Sequence, residues 1–285
     1  AGIEIVSDGE QRRKSYLTHI TSQLEGFDYQ TLTKKWTRNN RRLVEVGRCI
    51  GPIKRNASIL RSELSFILRE TTLPVKVTLP GPMTVADSTA DEFYHNEEQL
   101  AMDVAVALNK EALELEQQGA AVIQFDEPVF SRYPEKVVSW GIKALDRCLE
   151  GLSTAKSAAH ICYSYPMPGV PRPIVDSYPV ILEALESSKV DELALEFEAS
   201  KLDPSLLRRC PSKTVLFGCI DNGTNEIENP RDIANKLLTA AEHLPPTQIQ
   251  AAPDCGLVPL PLDIARLKLK AMVEGAKLAR QEFGK

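Results

Sequence analysis

Residues 120–128, AAVIQFDEP, and residues 214–221, TVLFGCID, decide the fold, because each joins an apolar run to an acidic end. Runs without a polar face are typical of parallel strands that are covered on both sides. Similar runs alternate with amphipathic helical stretches along the chain, and this alternation predicts an α/β protein with a parallel sheet. The predicted strands are residues 3–7, 75–79, 121–125, 158–162, 193–197, 215–220 and 249–252. The clearest predicted helices are residues 97–118, 136–150, 174–187, 230–243 and 262–283.

The spacing of these strands predicts a TIM-type (β/α)8 barrel. After the second strand, successive strands begin about 34 to 46 residues apart, the length of one βα unit, except for a shorter interval of 22 residues between the strands at 193 and 215. No GxGxxG motif follows any strand, which argues against a dinucleotide-binding sheet. Seven strands are one fewer than eight, so we expect either that the first βα unit is absent from this chain or that another segment closes the barrel. We expect residues 1–285 to form a single barrel domain, with a β-hairpin excursion at about residues 29–54, where polar and apolar residues alternate.

Composition and charge indicate a soluble protein that acts on small molecules. Hydrophobic residues make up 43% of the chain, and 39 acidic against 34 basic residues leave a net charge of -5. Without a broad basic surface, the chain is not expected to bind nucleic acid or an anionic membrane. No apolar run approaches the roughly 20 residues of a membrane span, and the first residues do not resemble a signal peptide. We therefore expect a cytoplasmic protein with reduced cysteines.

Ionisable residues stand at the carboxyl ends of most predicted strands. In barrel enzymes these ends carry the chemistry, because the βα loops meet there. Their recurrence therefore predicts one functional site at the end of the barrel where the carboxyl ends of the strands meet. The ends are Asp8-Gly9-Glu10, Asp126-Glu127-Pro128, His160-Ile161-Cys162, Glu196-Phe197-Glu198, Asp221-Asn222-Gly223 and Asp254-Cys255-Gly256.

Four of these residues have the chemistry of zinc ligands. His160 and Cys162 are two positions apart on a strand, so their side chains leave the same face. Glu196 and Cys255 come from other strand ends and complete a set of two thiols, one imidazole and one carboxylate. Zinc accepts this set in tetrahedral geometry, whereas magnesium and calcium prefer oxygen ligands. The alternative is that His160 and Cys162 only pack in a buried strand.

The remaining strand-end residues have structural explanations as well. Asp126, in an Asp-Glu-Pro turn, is equally consistent with a loop-capping carboxylate. Glu10 precedes a helix and is also consistent with a favourable interaction with the helix dipole. Asp221 precedes Asn-Gly, a sequence typical of a turn. From the residues alone, both interpretations of each position stay open.

Six stretches carry a resemblance over nearly the whole chain. They are SDGEQRR at 7–13, GP at 81–82, IQFDEP at 123–128, HICY at 160–163, LALE at 193–196 and APDCGL at 252–257. Together and in this order, they resemble the C-terminal catalytic barrel of the cobalamin-independent methionine synthase family. The chain is similar to the short, core-only members of that family.

The resemblance implies a zinc-dependent methyltransferase that moves a methyl group to the thiol of homocysteine and forms methionine. A free thiol is mostly protonated at neutral pH, and coordination to zinc keeps it as a reactive thiolate. The resemblance also implies that Glu10 and Asp126 are the catalytic and substrate-binding residues that hold the amino group of homocysteine. The implied zinc ligands are His160, Cys162, Glu196 and Cys255.

The implied methyl donor is methyltetrahydrofolate or a methylated corrinoid protein. Members of the family that use folate carry a tryptophan and a histidine near the folate, and the matching positions here are Ser88 and Gly223. These two differences favour the corrinoid protein as donor.

Three other functions stay open at this point. The first is a zinc-dependent alkyltransferase that acts on another thiol. The second is a metal-free lyase on a barrel similar to uroporphyrinogen decarboxylase, against which the paired cysteines argue. The third is a non-catalytic barrel with a structural zinc, whose ligand shell would be closed to substrate.

Overall fold

Strands and helices alternate along most of the chain. The computed structural model describes residues 1–37, 42–164 and 174–284. Its strands are β1 (Glu25–Thr37), β2 (Arg42–Lys54), β3 (Lys76–Pro80), β4 (Ala90–Asp91), β5 (Val122–Asp126), β6 (Lys156–Ile161), β7 (Glu192–Leu195), β8 (Thr214–Ile220) and β9 (Ile249–Pro253). Its α-helices are α1 (Thr18–Thr21), α2 (Arg61–Glu70), α3 (Pro82–Asp87), α4 (Glu97–Gln118), α5 (Pro134–Lys136), α6 (Ile142–Leu149), α7 (Tyr178–Glu186), α8 (Pro230–Ala240) and α9 (Leu262–Phe283).

One parallel sheet contains six strands in the order β3, β5, β6, β7, β8, β9. Strands that are neighbours in this sheet therefore follow one another in the order of the chain. Each of the six lies within two residues of its predicted bounds. The predicted α/β class with a parallel sheet is confirmed, and the apolar runs explain it because both faces of such strands are covered.

The first predicted strand, residues 3–7, does not form as a regular strand. Only Val6 pairs, in an isolated parallel bridge with Val75. The backbone turns soon afterwards, because Gly9 and Glu10 adopt the left-handed region with φ of 62° and 55°. The apolar run therefore predicted that this segment pairs with the strand at Val75, but not that the pairing is confined to one residue.

The helices agree with the prediction where they are long. α4 and α9 begin and end at the predicted residues. The helix predicted at 136–150 contains a π-helical turn at Val137–Gly141. The helix predicted at 174–187 begins only at Tyr178. Pro179 explains the late start, since proline fits the first helical turn, where its missing N–H has no partner to lose. None of the described helices is long and apolar enough to cross a membrane.

The chain divides into two compact units, and the first consists of Ile5–Ala159 with Ser188–Val190. In it β1 and β2 pair antiparallel, and β4 pairs parallel with β2. The pairing of β1 with β2 falls within the hairpin predicted at about 29–54, and residues 38–41 between the two strands lie outside the described residues. The organisation of residues 1–285 as a single barrel domain stays a prediction.

The second unit consists of Ala1–Glu4, His160–Ser187 and Asp191–Lys285. Here α8 and α9 approach closely, since a Cβ on Gly275 would lie 2.6 Å from Ile233. Its core contains a column of aromatic rings with centroids 4.5 to 6.3 Å apart. The column consists of Tyr163, Tyr178, Phe197 and Phe217.

Candidate metal centre and substrate residues

Three predicted ligands meet in the second unit. The ligand atoms of His160, Cys162 and Cys255 all lie within 4.8 Å of one another. His160 and Cys162 stand at the end of β6, and Cys255 follows β9. His160 and Cys162 are buried, whereas Cys255 is partly exposed. Cys255 is therefore the least buried of the three.

The spacing of the two sulfurs fits a zinc ion. The Sγ atoms of Cys162 and Cys255 are 4.0 Å apart, and neither cysteine forms a disulfide bond. Zn–S bonds of about 2.3 Å in tetrahedral geometry separate two sulfurs by about 3.8 Å. Two thiols and an imidazole are also the donor set that zinc prefers. The residues present thus fit zinc in chemistry and in spacing.

The backbone of β7 orients the imidazole of His160. Nδ1 of His160 lies 3.2 Å from the carbonyl oxygen of Ala194. A carbonyl only accepts hydrogen bonds, so Nδ1 carries the proton and donates it. The other ring nitrogen, Nε2, is then the one with a lone pair for a metal ion, the arrangement typical of metal-binding histidines.

The surroundings of Cys162 favour the thiolate form of its side chain. Its pKa is held well below the usual value, first by the hydrogen bond with Cys255. Burial opposes this lowering, and His160 adds to it. Because metals bind the thiolate, a lowered pKa favours metal binding at this position.

Glu196 lies next to this group but is not one of the three clustered donors. It is buried, and its Oε2 accepts a hydrogen bond of 3.0 Å from the backbone N–H of Tyr163. Tyr163 directly follows Cys162, so the carboxylate of Glu196 is held beside the end of β6. Its role as a fourth ligand stays a prediction.

Tyr178 connects the ends of β6 and β7, a function that the sequence did not reveal. Its fully buried hydroxyl donates to the carbonyl oxygen of Ile161 at 2.9 Å and accepts from the N–H of Glu196 at 3.1 Å. Its ring stacks on Tyr163 with centroids 5.2 Å apart. Ile161 stands between two of the predicted ligands, so this hydroxyl fixes the spacing of the strand ends that carry them.

In the first unit, Glu10 is held by a network at the end of β3. Its Oε1 accepts hydrogen bonds from Thr78 Oγ1 at 2.6 Å and from Arg13 Nη1 at 3.2 Å. The buried side chain of Arg13 also donates to the carbonyl oxygen of Thr78 at 3.0 Å. Left-handed backbone at a residue other than glycine costs about 1 to 3 kcal/mol and is frequent at functional sites. The strained backbone at Glu10 is therefore consistent with a binding role.

Asp126 stands at the end of β5, where Gln124 Nε2 donates to its Oδ1 at 2.8 Å. The next residue, Glu127, is fully buried and accepts from the N–H groups of Met83 and Thr84 and from the hydroxyl of Thr84. Glu127 thus satisfies the first amides of α3 and supports the loop beside Asp126. Burial raises the pKa of Glu127 to about 8, and the neighbouring charge of Asp126 acts in the same direction.

Asp221 has the turn geometry that its sequence suggests. Its Oδ1 accepts a hydrogen bond of 2.7 Å from the N–H of Gly223. The fully buried Lys268 donates to the carbonyl oxygen of Asp221 at 3.0 Å and to Glu228 Oε1 at 2.8 Å. Asp221 therefore begins a loop that a buried ion pair fixes to α9.

Comparison with known proteins identifies the family. The family model "Cobalamin-independent synthase, Catalytic domain" matches residues 1–278. The chain belongs to this family. The methionine synthase of Thermococcus kodakarensis is 29% identical over 287 residues, which cover 100% of this chain and 80% of that protein. The methionine synthase of Saccharolobus islandicus (strain L.S.2.15 / Lassen #1) is 32% identical, with 99% and 81% covered.

Solved structures agree with this membership of the cobalamin-independent synthase family. A B12-independent methionine synthase from Shewanella sp. W3-18-1, in complex with selenomethionine, superposes with a TM-score of 0.92 at 35% identity. The match covers 99% of this chain and 84% of that one. A methyltransferase from Methanosarcina mazei shares the fold at 17% identity and a TM-score of 0.66, covering 100% and 82%. The chain is a methyltransferase of the cobalamin-independent methionine synthase family.

Proposed function

We propose that this chain transfers a methyl group to the thiol of homocysteine and forms methionine, with a zinc ion at its metal centre. The observation that carries the proposal is the convergence of one imidazole and two thiols within 4.8 Å. The selenomethionine in the Shewanella complex supports a site shaped for the methylated product. The ligands we propose are His160, Cys162, Glu196 and Cys255.

The chemistry follows from the acidity of the substrate thiol. A free thiol has a pKa of about 8.5 and is mostly protonated at neutral pH, when it is a weak nucleophile. A bound zinc ion stabilises the thiolate form of the substrate. The substrate sulfur then forms a bond to the methyl carbon while the bond between that carbon and the donor breaks, and the thiol proton passes to solvent. Cys255 is the least buried of the proposed ligands, and this supports an approach of the substrate from its side.

Glu10 and Asp126 are proposed to bind the amino group of homocysteine. Both are carboxylates at strand ends, and an ammonium group is a donor that pairs with carboxylates. The hydrogen bonds from Thr78 and Arg13 to Glu10, and from Gln124 to Asp126, support roles that need fixed orientation.

The sheet is proposed to belong to a (β/α)8 barrel. Its strand order follows the chain without the reversal that a doubly wound sheet requires, and this favours a barrel. A crystal structure tests the proposal: continuous hydrogen bonding around a closed ring of strands supports it, whereas two solvent-exposed sheet edges contradict it.

Metal analysis of purified protein tests the zinc site. We expect about one zinc per chain and a loss of most of that zinc in Cys162→Ser, because a hydroxyl replaces a thiolate ligand. Cys210→Ser is the matched control, since Cys210 is an equally buried thiol outside the three-donor group. Less than about 0.3 zinc per wild-type chain, or equal zinc in wild type and Cys162→Ser, contradicts the proposal.

A methylation assay tests the acceptor and the donor. Homocysteine is compared with other thiols, including coenzyme M, and methyltetrahydrofolate is compared with a methylated corrinoid. We expect turnover with homocysteine, and the residues Ser88 and Gly223 favour the corrinoid donor. Zinc-loaded protein that turns over with none of these donors contradicts a catalytic role, and turnover only with another thiol contradicts homocysteine as the substrate.

A further inference from the structure

Asp254 is a buried carboxylate directly before Cys255, and the proposed methyl transfer gives it no role. Its side chain is 1% exposed. Oδ1 accepts hydrogen bonds from the backbone N–H of Phe197 at 3.0 Å and of Glu198 at 2.9 Å, and Oδ2 accepts from the N–H of Ala199 at 2.6 Å. One side chain thus binds three consecutive amides after Glu196.

β8 leaves the space that this carboxylate needs. A Cβ on Gly218 would overlap Asp254 Oδ1 and would lie 2.6 Å from the carbonyl oxygen of Leu195. The N–H of Asp254 also donates to the carbonyl oxygen of Ile220 at 3.1 Å. The carboxylate of Asp254 and its backbone therefore fix the turn after β9 to the ends of both β7 and β8.

We propose that Asp254 is a positioning residue of the metal centre: it fixes the turn that carries Cys255 against the segment that carries Glu196. This inference rests on the proposed zinc site. The three hydrogen bonds hold Cys255 beside the segment of Glu196, and the carboxylate of Glu196 in turn accepts from the N–H of Tyr163, next to Cys162. The outer partners of metal ligands commonly contribute 10- to 100-fold in metal affinity, and Asp254 acts as such a partner through the backbone.

A control with the same number of amide hydrogen bonds, at a more exposed position, exists in the first unit. Oε1 of Glu116 also accepts from three consecutive amides, those of Ser153, Thr154 and Ala155. Its hydrogen bonds support a turn before β6, and Glu116 contacts none of the proposed ligands in the contacts described. A variant of Glu116 therefore shows the effect of weakening such hydrogen bonds away from the metal centre, and a variant of Asp254 shows the effect of weakening them beside it.

The variants are Asp254→Asn, Gly218→Ala and Glu116→Gln, measured with the full chain. In Asp254→Asn an amide NH2 faces the N–H of Ala199 in place of an acceptor, so one hydrogen bond becomes a contact between two donors. Zinc affinity is measured by competition with a chelator, and cobalt is used as a probe, since its visible absorption reports tetrahedral geometry and bonds to sulfur. We expect 10- to 100-fold weaker zinc binding and an altered cobalt spectrum in Asp254→Asn and Gly218→Ala. Glu116→Gln is expected to stay within twofold of wild type with an unchanged spectrum.

The outcomes separate this inference from the proposed function. Wild-type protein that binds no zinc overturns both. Wild-type protein that binds zinc while Asp254→Asn binds it equally well, with the same cobalt spectrum, overturns only the role of Asp254. Circular dichroism of the metal-free variants is the second measurement: an Asp254→Asn variant that is unfolded without metal also overturns the positioning role, because Asp254 is then required for the fold itself.

Discussion

Replacing Glu127 by glutamine is expected to change how stability depends on pH. Burial raises the pKa of this carboxyl group from 4.5 to about 8 in the folded chain, whereas the unfolded chain exposes it to water. Between these two values the folded state holds a proton that the unfolded state has released. Since stability falls with pH where the folded state binds more protons, the contribution of Glu127 is fully present below about pH 4.5 and is lost as pH rises through about 8.

The magnitude follows from the difference between the two pKa values. One pKa unit corresponds to about 1.4 kcal/mol, so the three units between pH 5 and pH 8 amount to about 4 kcal/mol. Glutamine has no titrating proton, and its NH2 group faces amide donors at Met83 and Thr84, so Glu127→Gln carries a cost that does not depend on pH. The free energy of unfolding of wild type minus that of the variant should therefore fall by about 4 kcal/mol over this range.

Urea unfolding of both proteins at half-unit intervals from pH 5 to pH 8 measures this difference. Other titrating groups are shared by the two proteins and cancel in the subtraction. Glu116→Gln is the control, because burial acts to raise the pKa of Glu116 but the amides of Ala155, Ser153 and Thr154 outweigh it and lower that pKa. Its difference from wild type should be flat above pH 5. A difference for Glu127→Gln that is equally flat refutes the reasoning.

Two further predictions concern buried polar contacts. Tyr178→Phe keeps the stacked ring but leaves the N–H of Glu196 without the hydroxyl acceptor, so we expect about 1 to 3 kcal/mol lower stability in urea unfolding together with weaker zinc binding. A Tyr178→Phe variant with wild-type stability and zinc affinity would show that the hydroxyl does not fix the strand ends. Lys268→Met removes the buried cation that pairs with the partly buried Glu228 and should cost about 3 kcal/mol, with partial recovery in the double variant Lys268→Met/Glu228→Gln. Equal stability of the single and double variants would exclude an uncompensated charge as the cause.

Local patterns in the sequence were sufficient for much of the fold. The apolar runs at β5 and β8 predicted strands because a strand covered on both faces needs apolar side chains on both. α4 was predicted to the residue, since Asn96 caps its first turn and Gly119 ends it with φ of 107°. The strand predicted at residues 3–7 was wrong in extent, because an apolar pattern does not determine how many residues find a hydrogen-bonding partner, and here Val6 alone pairs with Val75.

Part of the candidate site was also predictable from local patterns in the sequence. His160 and Cys162 share a strand face because side chains alternate along a strand, and Cys255 lies within a Pro-Asp-Cys-Gly turn. The structure brings these three donors together, whereas Glu196 lies beside them as an acceptor for the amide of Tyr163. The roles of Glu10 and Asp126 stay predictions.

By itself, the sequence determined the alternation of strands and helices and the donor chemistry at the strand ends, because both are properties of neighbouring residues. Only the tertiary structure decided which buried groups hold those donors in place. Asp254 reaches the amides after Glu196 because β8 carries Gly218 at the point of closest approach. Tyr178 joins two strand ends through one hydroxyl. Such contacts join residues that are far apart in the chain, and their partners are backbone groups that every residue possesses, so no side-chain pattern identifies them.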